Sequence, residues 1–229
     1  MSDKLNANND IKKFSNFTKY LRRQTLARFL VQYEIFKKQV HIKGSIIECG
    51  VHNGGGVMAW AKLSAILEPY NYHRKIIGFD TFQGFPSVSE VDTLSHPDVK
   101  PGMFAEDYDV YSELLSCIKD FDDNRFLGEI QKIHLVKGDA NLTIPAYLSE
   151  NPHTLISLLY LDFDIYEPTI TALKHFVPLM PSGAIIAFDE LNNPDWPGET
   201  QALLKELGIR GRKLECFEYE PNISYVVLS

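Results

Sequence analysis

Acidic residues recur in this chain at the ends of short apolar runs, and a glycine-rich stretch lies among them. Glu48 follows Ile46 and Ile47, and Asp80 follows Ile76, Ile77 and Phe79. Asp139 follows the run Lys132 to Val136 and Gly138, while Asp162 and Asp164 follow LISLLYL at Leu155 to Leu161. Asp189 and Glu190 close the run Ala184 to Phe188. Runs of this length and apolarity read as buried strands, and LISLLYL as a central one covered on both faces. Carboxylates gathered at one sheet edge repel each other, so each is favoured by a cation or a raised pKa. Two chemistries follow. A carboxylate can take a proton from a hydroxyl, and oxygen donors without Cys or a His pair suit a hard divalent ion, Mg²⁺ first.

The stretch SIIECGVHNGGG, Ser45 to Gly56, supplies the other half of the chemistry. Gly50, Gly54, Gly55 and Gly56 turn a strand into a helix, expected from Val57 to Leu67. Such a turn lets backbone N–H groups approach a ligand, and the helix N-terminus adds partial positive charge. Asp80, at the end of the next strand, can accept both hydroxyls of a ribose. Together these point to a nucleoside-containing cofactor. The loop spacing is not the G-x-G-x-x-G of dinucleotide binding, which disfavours an NAD-dependent oxidoreductase. Nor is it a P-loop, because Val57 follows Gly56 where Lys and then Ser or Thr would be required.

The elements that must hold these residues can be read in order. Residues 1–12 are polar and expected to form a mobile tail. Apolar residues at helical spacing predict one helix over 13–40, covering the sheet edge or a dimer partner. Residues 83–105 form a long proline-bearing stretch with weak periodicity, expected to act as a lid. Helices are expected at Tyr108 to Asp120, from Asp139 to Glu150, and at Pro197 to Leu207. Asp139 is either a contact to the cofactor base or the N-cap of its helix. The tail predicts a hairpin turning at Glu220-Pro221-Asn222. Five β-α units and a hairpin make a doubly wound α/β sheet, mostly parallel with one antiparallel C-terminal strand, in a single domain over 13–229. In such sheets ligands bind beyond the carboxyl ends of the strands, which is where every acid named above stands.

The 229 residues carry a net charge of −7, which argues against nucleic acid as the main partner. No apolar run is long enough to span a membrane. The three cysteines, Cys49, Cys117 and Cys216, form no C-x-x-C pair and read as reduced thiols of a cytoplasmic protein.

The loop ECGVHNGGG and the motif DTFQGFP at Asp80 to Pro86 resemble the S-adenosylmethionine (SAM) loop of class I methyltransferases and, within them, the macrocin O-methyltransferase family. Gly138, Thr143 and Pro145 are similar to that family's G-x-x-x-x-T-x-P, and Leu161, Asp162, Asp164, Tyr166, Glu167 and Thr169 to its L-D-x-D-x-Y-E-x-T. The resemblance covers roughly residues 20 to 205. It implies a Rossmann-like fold, SAM held by Glu48, Gly50, Gly54, Asp80, Gly138 and Asp139, and methyl transfer to a hydroxyl of a sugar or glycoside. It implies Asp162 and Asp189 as ligands of Mg²⁺ and Asp164 as general base. The family's fifth strand ends in two adjacent aspartates. Here Phe188 takes the first position and Asp189 the second, so one ligand is lost or Glu190 replaces it. A second reading follows from that departure: a catalytically impaired SAM- or nucleotide-binding partner subunit. A homodimer is expected from the family and from Phe29, Tyr33 and Phe36, aromatic residues of the N-terminal helix.

Overall fold

The structure, a computed structural model, describes residues 12–95 and 97–229, so the expected tail lies almost wholly outside it. Alternation of helix and strand begins with α1, Arg23–Gln39, and β1, Ser45–Cys49. It continues with α2, Gly55–Leu67, and β2, Ile76–Asp80. Then come α3, Glu90–Ser95, α4, Val110–Asp122, and β3, Ile133–Lys137. After these follow α5, Ala140–Glu150, β4, Ile156–Leu161, α6, Tyr166–Phe176, β5, Ile185–Phe188, and α7, Gly198–Glu206. A hairpin of β6, Glu215–Phe217, and β7, Glu220–Val227, ends the fold.

The strands form one seven-stranded sheet in the order β3-β2-β1-β4-β5-β7-β6. The first five are parallel, and β7 runs antiparallel to β5. Strand residues alternate between two buried layers because successive side chains point to opposite faces. Ile46, Ile76, Leu158 and Ile185 pack on one side with Val31, Phe36 and Trp60. Their chain neighbours Ile47, Ile77, Leu159 and Ile186 pack on the other with Ile144, Leu173 and Phe176. All six residues of β4 are buried, as expected for a strand covered on both faces.

Three expectations are corrected. The N-terminal helix is not continuous over 13–40: a helical turn at Phe17–Tyr20 ends at Leu21, whose ψ is 141°, and α1 starts at Arg23. The short turn buries no residue, whereas α1 buries Val31, Ile35 and Phe36. Helix persists where tertiary packing rewards it. Phe36 is fully buried, and Phe29 and Tyr33 pack on the same core, so these aromatics do not form an exposed dimer face. The hairpin turn falls at Glu218 and Tyr219, and Pro221 lies inside β7. Pairing shifts register between Cys216 and Phe217, and a proline is accommodated at such a bulge on an edge ribbon.

Helix α1 is fixed at its exit by the buried Arg74. Its guanidinium donates to Gln39 Oε1 at 2.8 Å, to the carbonyls of Val40, Ile42 and Gly44, and to the Ser157 hydroxyl. Glu68 pairs with Nε at 2.7 Å. A buried cation needs such a full set of partners.

Candidate active site

The sheet reverses its strand order between β1 and β4, and a cavity of about 340 Å³ opens at the carboxyl ends there. Gly50 lies on its wall with φ of +91°, and a Cβ at this position would stand 1.9 Å from the Asp162 carbonyl oxygen. Only glycine lets the end of β1 approach β4 so closely. Gly54, also left-handed, faces Leu114 of α4 and does not line the cavity. Gly138 does line it.

Asp80 acts first on the protein itself. Its Oδ2 accepts from the backbone N–H of Val51 (2.7 Å) and His52 (2.8 Å), and Oδ1 from Phe82 N–H at 2.6 Å. Two charge-assisted bonds thus fix the glycine-rich loop to the end of β2, and the third closes the turn that follows Asp80. Oδ1, with a single donor among these three, keeps acceptor capacity beside the cavity.

Like Gly54, Glu48 and Asp139 are expected at the cofactor but do not line the cavity. Glu48 is 3% exposed and does not line the cavity; its carboxylate lies beneath Gly56, where a Cβ would stand 2.3 Å from Oε1. Burial raises its pKa to about 8, against smaller opposing effects of Trp60, Arg28 and the Val57 N–H. An acid held neutral by the fold stabilises it fully below its unfolded pKa, and that contribution is lost as pH rises through about 8. Glu48→Gln, neutral at all pH, should therefore improve the melting temperature relative to the parent more at pH 9 than at pH 6. An equal change at both would show that Glu48 is ionised in the folded state. Asp139 caps α5, accepting from Asn141 N–H at 2.9 Å, and the adjoining cavity wall is made by Gly138 and Ala140.

The acids of β4 and β5 do converge. Asp162, Asp164, Asp189 and Glu190 all line the cavity. Their grouping is not the two-residue alternation of a strand, because β4 ends at Leu161; Asp164 turns inward through a left-handed φ of +62°. Of the six non-glycine residues with positive φ among the described residues, four (His52, Phe82, Phe104 and Asp164) line this cavity, a concentration of backbone strain typical of functional sites. Burial raises the Asp164 pKa to about 7; Glu190 and Asp189 add to the effect and Arg28 opposes it. Burial and the neighbouring Asp189 also raise Asp162, again against Arg28.

Sequence reasoning missed Arg28 and Glu199. Arg28 of α1 donates to Asp162 Oδ2 at 2.7 Å and pairs with Asp189 Oδ1 at 2.8 Å. Tyr160 hydroxyl donates to the same Asp189 oxygen at 2.9 Å. The signal was periodic: Arg28 shares a helical face with Val31, Gln32, Ile35 and Gln39, all buried, and not with the exposed basic residues. Glu199, fully buried, accepts from Glu190 N–H at 3.0 Å while its Oε1 has no hydrogen-bond partner.

The Mg²⁺ site implied by resemblance does not fit these positions. Of the three proposed ligands, Asp162 and Asp189 already pair with a guanidinium and Glu190 accepts from Asn193 Nδ2, while Phe188 is fully buried in the apolar layer. Among the described residues no group of three His, Cys, Asp or Glu is arranged to hold a metal.

The stretch 83–105 lines the cavity through Gly84, Phe85, Pro86 and Phe104. Phe85 and Phe104 from it meet Trp196 with ring centroids 5.3–6.0 Å apart. Its ends are clipped by Gly102 N–H to Phe85 carbonyl (2.8 Å) and Phe85 N–H to Met103 carbonyl (3.1 Å). Between them α3, absent from the sequence reading, is anchored through Asp92, which accepts from Tyr166 N–H at 2.9 Å. His96 lies outside the described residues.

Comparison with known proteins agrees with this layout. CalS11, a calicheamicin methyltransferase of known structure, is 37% identical, with a TM-score of 0.88, covering 95% of this chain and 85% of its own. The O-methyltransferase NovP is 17% identical with a TM-score of 0.67, a likeness of fold; 89% of this chain and 80% of NovP are covered. Mycinamicin III 3''-O-methyltransferase of Micromonospora griseorubida is 24% identical over 150 residues, 65% of this chain. That match spans only 56% of the relative's length. The profile of macrocin O-methyltransferase (TylF) matches residues 23–202, from the first residue of α1 into α7. With the cavity at the switch point and both characteristic motifs on its walls, this chain belongs to the macrocin O-methyltransferase family.

Proposed function

We propose that the chain is a SAM-dependent O-methyltransferase acting on a hydroxyl of a sugar or sugar-bearing metabolite. One observation carries the reading: a single cavity at the switch point is lined by Gly50 and His52 of the glycine-rich loop, by Asp80 and by Asp164. The cradle suits SAM, with Gly50 bare of side chain, Asp80 able to accept from a ribose, and Gly138 and Ala140 forming the wall beyond. When bound, SAM supplies a methyl group activated by its sulfonium. Asp164 takes the proton as the acceptor oxygen bonds to that methyl carbon; the carbon–sulfur bond breaks, leaving a methyl ether and the demethylated thioether.

Phe85, Phe104 and Trp196 line the same cavity, and their ring faces would cover the C–H faces of a sugar acceptor. CalS11 is described as a TDP-rhamnose 3'-O-methyltransferase, which makes nucleotide sugars the first acceptors to try. The stretch 83–105 would act as the lid that closes on both substrates. Calorimetry should show binding of SAM and of its demethylated product, and none of NAD. A screen of nucleotide sugars and glycosides with labelled SAM should then identify the acceptor. Absence of SAM binding by the folded protein would overturn the assignment.

A further inference from the structure

We infer that the Arg28 guanidinium stands where a divalent cation would otherwise be required, so that methyl transfer by this chain needs no metal. The fork of Arg28 spans carboxylates from two strands, Asp162 after β4 and Asp189 after β5, at 2.7 and 2.8 Å. A planar guanidinium suits this bridging role and cannot be deprotonated at working pH. Both oxygens of Asp189 are engaged: Oδ1 by Arg28 and Tyr160, Oδ2 by Arg28 Nη1 at 3.1 Å.

A divalent ion here would need oxygens at about 2.1 Å in a near-octahedral shell. It would have to displace a guanidinium already in place, and the two cations would repel strongly at that separation. The next residue that might have added an acid, Phe188, is fully buried among apolar side chains. Two carboxylates and one guanidinium leave a single net negative charge, as three carboxylates around a divalent ion would. The arginine is also not a loose arm. It projects from the buried face of α1, and that helix is locked at its exit through Gln39 and Arg74. Arg28 is thus a positioning residue: it holds the ends of β4 and β5 together and neutralises the acids beside Asp164. This role deepens the methyltransferase reading and depends on it for the activity measurement alone.

The test is Mn²⁺ titration of the full chain, followed by paramagnetic resonance, on the parent and on Arg28→Met. The parent should show no saturable site below about 1 mM, and its methyl transfer should be equal in Mg²⁺ and in EDTA to within about twofold. Arg28→Met frees Asp162 and Asp189 and should bind Mn²⁺ at least about tenfold more tightly than the parent. One Mn²⁺ per parent chain at micromolar affinity, or transfer abolished by EDTA, would overturn the inference. So would a folded Arg28→Met with no gain in Mn²⁺ affinity. If that variant does not fold, the parent titration decides alone. A parent that binds no SAM would sink the methyltransferase reading and leave the Mn²⁺ result standing.

Discussion

Asp164→Asn is expected to cut methyl transfer by roughly two to four orders of magnitude, the usual range for a lost general base. SAM affinity should stay within about twofold, because the change conserves size and polarity and leaves the glycine-rich loop and Asp80 intact. Burial, then Glu190 and Asp189, raise the Asp164 pKa to about 7, so the residue is poised to accept a proton near neutrality. The sign of the pH dependence follows. The base must be ionised, so the parent rate should fall as pH drops through about 7 and level off above it. The residual rate of Asp164→Asn should lack that limb. A fully active Asp164→Asn would remove the base assignment and turn attention to His52, which lines the same cavity.

The second large effect is expected at Asp80. Its removal takes away a ribose acceptor and also the anchor of three backbone N–H groups, from Val51, His52 and Phe82. Hydrogen bonds to charged groups are each worth about 1.5–3 kcal/mol, so Asp80→Ala should weaken SAM by about 2–3 kcal/mol, roughly 30- to 150-fold in Kd. Sequence position alone, a surface strand end, suggests that the fold would be indifferent to this change. The loop contacts predict instead a lowered melting temperature as well. The two roles separate in a double-mutant cycle using a SAM analogue without ribose hydroxyls. If Asp80 binds the ribose, the parent should discriminate against the analogue and Asp80→Ala should not. Equal discrimination by both proteins would confine Asp80 to holding the loop.

Sequence by itself determined the fold class, because short, largely apolar runs such as LISLLYL are strand-length and each alternates with a helical segment. It also placed Gly50, Asp80, Asp162, Asp164 and Asp189 together at the carboxyl ends of the strands, where the cavity opens. Local patterning could go that far and no further, because it reports which face a residue prefers and not what it meets across the fold. Glu48 and Asp80 occupy equivalent strand-end positions in sequence. Only the packing shows that Glu48 is buried beneath Gly56 while Asp80 gathers the loop N–H groups at the cavity wall. Asp139 could serve as base contact or cap, and a hydrogen bond to Asn141 made it the cap. The tertiary structure decided most at Arg28. It lies 134 residues from Asp162 and 161 from Asp189, so nothing local couples it to either. Charge in a helix rich in Lys and Arg reads as a solvated face; docking α1 against the sheet turns one of those charges inward, and there it meets the two acids that sequence had assigned to a metal.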